Sequence, residues 1–218
     1  MTEPATPSAR RQATRERLLE AAAEVFAEEG LQGASVETIC HRAGFTRGAF
    51  YSNFTSKEEL FLALLEREFE RRAADLSAKT KELSPALRGR GGLISPALAT
   101  EFITEFLSLG TNSTSWYMLE AEFGLLAMRD PEVAPNYAEF LQRSYSSLAD
   151  AVETALTVAG RRFTLPAEHS VQILGGEYER ALRITALSGP DAAGGLHHLP
   201  ENISELLFAI TEPIAKKK

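Results

Sequence analysis

The sequence predicts an all-α protein: a small amino-terminal three-helix domain containing a helix-turn-helix, joined by a long helix to a larger helical domain. Three observations predict this. Apolar residues recur at helical spacing in every periodic segment, and no segment alternates as a strand would. Capping residues and glycines fall at the ends of those segments. The stretch from Ser35 to Lys57 reads as two short helices around a glycine turn.

Residues 1–9 read as a disordered tail. A first helix is expected from about Ala13 to Glu29, with Leu18, Leu19, Ala22, Ala23 and Phe26 as its apolar stripe. Gly30 ends it and Leu31 closes back over the end. Ser35 can cap the second helix, which turns Val36, Ile39, Cys40 and Ala43 to one face. Gly44 supplies the freedom for a sharp turn, and Phe45 pins the corner. Thr46 can cap the third helix, whose Phe50 and the following Phe54 are four apart and point inward. This leaves Arg47, Gly48, Ala49, Tyr51 and Ser52 as an outward surface with one cation, one phenol and little bulk.

Ser56 opens the long helix, with Glu59 completing a capping box. Its stripe is Leu60, Phe61, Leu64, Leu65, Phe69 and Leu76, and Ser84-Pro85 is expected to terminate it. The linking helix therefore spans 56–84, between a helix-turn-helix domain at 10–57 and a carboxy-terminal domain at 85–218. RGRGG at 88–92 reads as a flexible connection. Further helices are expected at about 96–109, 114–129, 132–159, 167–188 and 201–214, with a turn-rich loop at 188–200.

Composition narrows the function. The chain of 218 residues is 44% hydrophobic, enough for a substantial core, and carries a net charge of −7. Residues 1–57 hold seven basic and seven acidic side chains; the remainder holds sixteen and twenty-three, so all of the −7 lies there. Nucleic-acid binding would thus rest on local positive charge, with the acidic part held off a phosphate backbone. The single cysteine, Cys40, excludes an intramolecular disulfide, fits a reducing cytoplasm and sits where core packing wants a small side chain. No apolar run approaches the roughly 20 residues needed to span a bilayer. P-loop, GxSxG, HExxH and strand-associated GxGxxG patterns are absent, and His197-His198 alone makes a poor metal site, so neither an enzyme nor a metal or cofactor is expected.

A helix-turn-helix places its second helix in the DNA major groove. Arg47, in the first turn of that helix, opposes the helix dipole, which favours an external base or phosphate partner. Gly48 weakens the helix by roughly 1 kcal/mol relative to alanine, which makes sense if the backbone must approach the groove closely. Tyr51 lies four residues on, over the same face. Ser35, Thr46 and Ser52 are lesser contacts, the first two being explained by capping. Arg10 and Arg11 read as a flexible basic arm or a solvated tail.

The pieces LLEAAAEVFAEEG at 18–30, AGFTRGAFYSNF at 43–54 and SKEELF at 56–61 resemble the amino-terminal, homeodomain-like domain of the tetracycline-repressor (TetR) family of bacterial transcriptional regulators. The resemblance covers roughly a fifth of the chain. It implies phosphate contacts from Tyr51 and Lys57, and a homodimer on a palindromic double-stranded DNA operator. It also implies a small-molecule inducer bound in the carboxy-terminal domain, with DNA release on binding. The last two helices are the expected dimer surface, through Leu174, Gly175, Ile203, Leu206, Leu207, Ile210 and Ile214, with Gly175-Gly176 allowing close packing. Candidate ligand contacts are Phe102, Phe106, Trp116, Glu120, Phe123, Tyr145, Glu177 and Tyr178; for each aromatic, core packing is the stronger reading. Glu120 and Glu177 would face a cationic ligand or pair with Arg180 or Arg183. An architectural DNA-binding protein without ligand response and an activator on the same fold are the alternatives.

Overall fold

The structure, a computed structural model, describes residues 7–88, 94–108 and 113–214, with side chains at 9–82, 94–107 and 113–214. The helices are α1 (Pro7–Gly33), α2 (Val36–Ala43), α3 (Arg47–Tyr51), α4 (Lys57–Arg88), α5 (Pro96–Ser108), α6 (Ser113–Ala127), α7 (Ala134–Val158), α8 (Ala167–Ser188) and α9 (Leu199–Ala209). Two three-residue strands, β1 (Arg161–Phe163) and β2 (Thr211–Pro213), pair antiparallel with Arg162 opposite Glu212. Among the described residues the fold is all-α with this one small ribbon. No described helix is long and apolar enough to cross a membrane.

The chain divides into two compact units, Met1–Glu68 with Met118–Phe140, and Phe69–Tyr117 with Leu141–Lys218. The division falls inside α4 and carries part of α6 and the start of α7 into the first unit, whereas composition places the boundary at 84/85. The connection expected at 88–92 lies outside the described residues from 89 on, as do residues 1–6 of the tail.

In the first unit, α1 packs on α2 and α2 on α3. Leu18, Ala22, Phe26, Ile39, Phe50, Phe54, Leu60 and Phe61 are all buried, as helical spacing predicts. Phe61 lies edge-on to Phe26 (centroids 5.2 Å apart) and stacks on Phe123 (4.9 Å). Tyr137 meets Phe123 in turn, and Phe140 stacks on Tyr137. Each such ring pair adds roughly 0.5–1.5 kcal/mol beyond the area it buries. In the second unit α9 packs on α5 and α8. Ile94, Ala99 and Ala159 form a buried cluster with Leu98, Val158 and Phe208 packed against it.

Several boundaries differ from the sequence expectation. Helix α1 begins at Pro7, so Arg10 and Arg11 lie on a helix and not on a flexible arm. Gly30, at φ 72°, does break α1, and Glu122 of α6 accepts the Leu31 amide there (2.9 Å). Helix α4 continues past Ser84-Pro85 to Arg88; a proline removes one backbone donor, and here the helix absorbs that loss. The final helix stops at Ala209 and not at 214, because Thr211–Pro213 leaves to pair with β1. Arg161 secures that exit: buried under the Phe208 ring (4.2 Å), it donates to the Thr211 hydroxyl and carbonyl, each at 2.8 Å. Burial pushes its guanidinium below the usual arginine range.

Candidate nucleic-acid interface and cavity

The helix-turn-helix is held by local caps. The Ser35 hydroxyl accepts from the Thr38 amide (3.0 Å), and the Thr46 hydroxyl from the Ala49 amide (3.3 Å). Gly44 turns the chain at φ 70°, and its amide and that of Phe45 donate to the end of α2. The Ser56 hydroxyl accepts from the Glu59 amide, but the Glu59 carboxylate reaches Thr55, amide and hydroxyl both at 2.6 Å. The expected reciprocal box is therefore shifted by one residue. Cys40 is buried, and desolvation pushes its thiol above its usual range, consistent with a packing role.

A second set of caps is long-range. The last carbonyls of a helix have no partner within it and attract cations. Arg17, on α1, donates to Ala43 O at the end of α2 (2.7 Å) while lying over the Phe45 ring (4.6 Å). Arg15 donates to Asn53 O (3.1 Å) over the Phe54 ring (4.2 Å), and Arg11 to Ser52 O (3.2 Å). The Lys57 ammonium donates to Leu31 O (2.7 Å) and Ala34 O (2.9 Å), at the end of α1. Arg42 pairs with Glu24 and Glu28. Sequence reasoning missed Arg15 and Arg17 because their acceptors lie 38 and 26 residues away.

What remains on the outer face is a small surface. The Arg47 side chain is 59% exposed, ion-paired to Glu37 of α2, with its guanidinium 5.8 Å from the Tyr51 ring centroid. Its pKa is raised, first by Tyr51 and then by the Glu37 charge. Tyr51 is 49% exposed with its ring edge-on to buried Phe50. The Ser52 hydroxyl donates to Ala49 O (2.8 Å) and thereby closes α3. A Cβ placed on Gly48 would meet only the Thr46 hydroxyl, at 3.7 Å, an ordinary contact. Nothing inside the fold requires glycine there.

The second unit contains a cavity of about 250 Å³. Arg72 and Leu76 of α4, Phe102 and Phe106 of α5, and Val152 of α7 form part of its wall. Leu174, Gly175 and Tyr178 of α8, with Ile203 and Leu207 of α9, line another part. Phe102, Phe106 and Tyr178 are thus brought together as expected. The other candidates are not on the wall. Phe123 is buried in the first unit's ring stack, Trp116 is half-buried on α6, and Tyr145 packs on Gly175. Glu120 does not line the cavity. Glu177 is bonded to Arg180 (2.6 and 2.8 Å) and Asn202 (3.0 Å), which holds its carboxyl below the usual range. Of the two readings open for Glu177, the structure therefore shows the pairing with Arg180.

The cavity also redistributes the expected dimer face. Leu174, Gly175, Ile203 and Leu207 face into it, whereas Leu206 and Ile210 do not line it. Ile210 follows the end of α9, and Ile214 lies beyond β2. Helix α8 instead exposes Ile173 and Leu187, and a Cβ on Gly176 would meet nothing within 4 Å. Among the described residues no cluster of three or more His, Cys, Asp or Glu side chains could hold a metal, and His197 is bonded to Asp191.

Residues 18–64 match the family described as bacterial regulatory proteins, tetR family. The HTH-type transcriptional regulator UidR of Escherichia coli K12 is 41% identical over 63 residues, covering 29% of this chain and 32% of UidR. The HTH-type transcriptional repressor AcnR of Corynebacterium efficiens is 41% identical over 64 residues, covering 29% of this chain and 34% of AcnR. The matches thus span about a third of these relatives. A TetR transcription regulator from Haloarcula marismortui shares the fold over 92% of this chain and all of its own, with a TM-score of 0.63 at 15% identity.

The cap geometry makes Lys57 a stabilising residue whatever else it does. Lys57→Met should lower unfolding free energy by about 1.5–3 kcal/mol, since two part-buried carbonyls lose a charged donor. Thermal and urea denaturation measure this, and a loss below about 0.5 kcal/mol, typical of a free surface lysine, would contradict it.

Proposed function

We propose, from the match of residues 18–64 to the tetR family of bacterial regulatory proteins, that the chain is a ligand-responsive transcriptional regulator of that family, acting as a repressor. In this reading a homodimer binds a palindromic double-stranded DNA operator in the cytoplasm and is released by a small-molecule inducer. The observation that carries it is the outer face of α3. Arg47, Gly48 and Tyr51 sit on a short helix whose inner side is fixed by Phe50, and the glycine there has no internal reason.

Arg47 reads a base edge or phosphate, exchanging Glu37 for the nucleic acid, and Tyr51 donates to a phosphate. Gly48 and Ala49 let the α3 backbone approach the groove, with Ser35, Thr46 and Ser52 at its rim. Lys57, whose ammonium clamps the end of α1, acts chiefly by orienting this face, and phosphate contact is secondary. An architectural role without ligand response fits less well, since it requires a broadly basic surface and the net charge is −7. An activator would use the same contacts on a differently placed operator.

The dimer forms through α8, where exposed Ile173, Gly176 and Leu187 support close helix packing, and through the edge of α9 at Leu206 and Ile210. The cavity holds the inducer, whose preference for one arrangement of the protein over another sets DNA affinity. A typical switch shifts that affinity about 5–150-fold.

Selection of bound duplexes from a random pool should return one palindrome. Arg47→Ala should weaken binding to it roughly 10- to 100-fold and relax preference at one position per half-site. Gly48→Ala should leave thermal stability unchanged or slightly raised yet weaken binding, separating the fold from the interface. Unchanged affinity in both variants would remove α3 as the reading helix. The double variant Ile173→Glu, Leu187→Glu should sediment as a monomer at micromolar concentration while the parent sediments as a dimer; a variant that remains dimeric would contradict the α8 interface.

A further inference from the structure

Between Ser35 and Ser56 the helix-turn-helix carries a single acidic residue, Glu37, whose side chain is 60% exposed. Its carboxylate accepts from Nη1 of Arg47 and so joins the first turn of α2 to the first turn of α3. The helix dipole favours an acid at the start of α2, but the Ser35 hydroxyl already caps that end. An exposed ion pair adds little to stability, so the fold gives Glu37 slight reason to be there. On a face that meets a polyanion, a carboxylate left without a donor costs affinity.

We infer that Glu37 is a second base-reading side chain: it accepts from a cytosine amino group while Arg47 takes the guanine of the same or the neighbouring base pair. The assignment rests on α3 as the reading helix and adds a specificity-determining residue from α2. When Arg47 turns to the nucleic acid, Glu37 needs a new donor. The major groove offers two, N4 of cytosine and N6 of adenine. Adenine sets its N7 acceptor beside N6, which repels a carboxylate; cytosine has no acceptor on that edge. Guanine presents two acceptors, N7 and O6, which suit the guanidinium fork. Because the two side chains touch in the free protein, the bases they reach lie together. The pair thus sets donors beside an acceptor, the complement of guanine acceptors beside a cytosine donor.

Selection from a random duplex pool, run in parallel on the full-length parent, Arg47→Ala and Glu37→Gln, tests this. Affinities for single-position variants of the recovered palindrome then measure each preference, and thermal melts establish that each variant is folded. With Glu37→Gln, the preference for cytosine over adenine at one base pair per half-site should fall roughly tenfold or invert, because an amide pairs with adenine N6 and N7. That base pair should be the one at which Arg47→Ala relaxes guanine, or its neighbour, and the rest of the palindrome should be unchanged. If folded Glu37→Gln keeps the parent preferences, or shifts its affinity for all sequences alike, Glu37 reads no base. The inference is then overturned, and α3 remains the reading helix as long as Arg47→Ala relaxes its position. A changed preference remote from the Arg47 position also overturns it. If Arg47→Ala relaxes no position, the reading of α3 fails and this inference fails with it.

Discussion

The interaction on which the amino-terminal unit depends is the capture of helix-end carbonyls by cations from distant parts of the chain. Helices α2 and α3 have eight and five residues, too short to hold a mutual angle by themselves. Arg17 over Phe45, and Arg15 over Phe54, each tie a carbonyl and an aromatic ring to α1. Lys57 ties the start of α4 to the end of α1. A cation that bonds a carbonyl while covering a ring fixes position and orientation together. The outer face of α3 is therefore set by side chains that never reach it.

This changes the meaning of the charge balance. Seven basic residues in 1–57 look like a modest but usable supply for a polyanion. Four of them, Arg11, Arg15, Arg17 and Lys57, are engaged with backbone carbonyls, and Arg42 pairs with two glutamates. Arg47 is the exposed cation on the reading face, and even it is held by Glu37. The proposed DNA contact thus depends on placement, with little general attraction behind it.

Much of the fold was legible because its signals are local. Ser35, Gly44 and Thr46 act within a few residues of themselves, and Phe50 and Phe54 follow from helical spacing. Tyr51 was legible as an exposed residue for the same reason. The carbonyl clamps were not, since each depends on a tertiary approach that no periodicity records. The β1–β2 ribbon was hidden by its length: three residues cannot display alternation, and an apolar run ending in Ile210 and Ile214 reads as helix. The cavity was half legible. Phe102, Phe106 and Tyr178 line it, and the pairing of Glu177 with Arg180 is one of the two readings the sequence left open, but no spacing records that Arg72 of α4 is among the lining residues. Ile203 and Leu207, read as an outer stripe, face inward because α9 packs on both α5 and α8.

The salt dependence of operator binding tests the central claim most directly, because its slope counts released counterions at about 0.9 per phosphate neutralised. If the clamping cations stay within the fold, Arg10 and Arg47 are the main phosphate partners of each protomer. A dimer then gives a slope of log K against log salt near −4. A slope steeper than about −10, which requires most of the seven basic residues of each protomer to neutralise phosphates, would contradict the account.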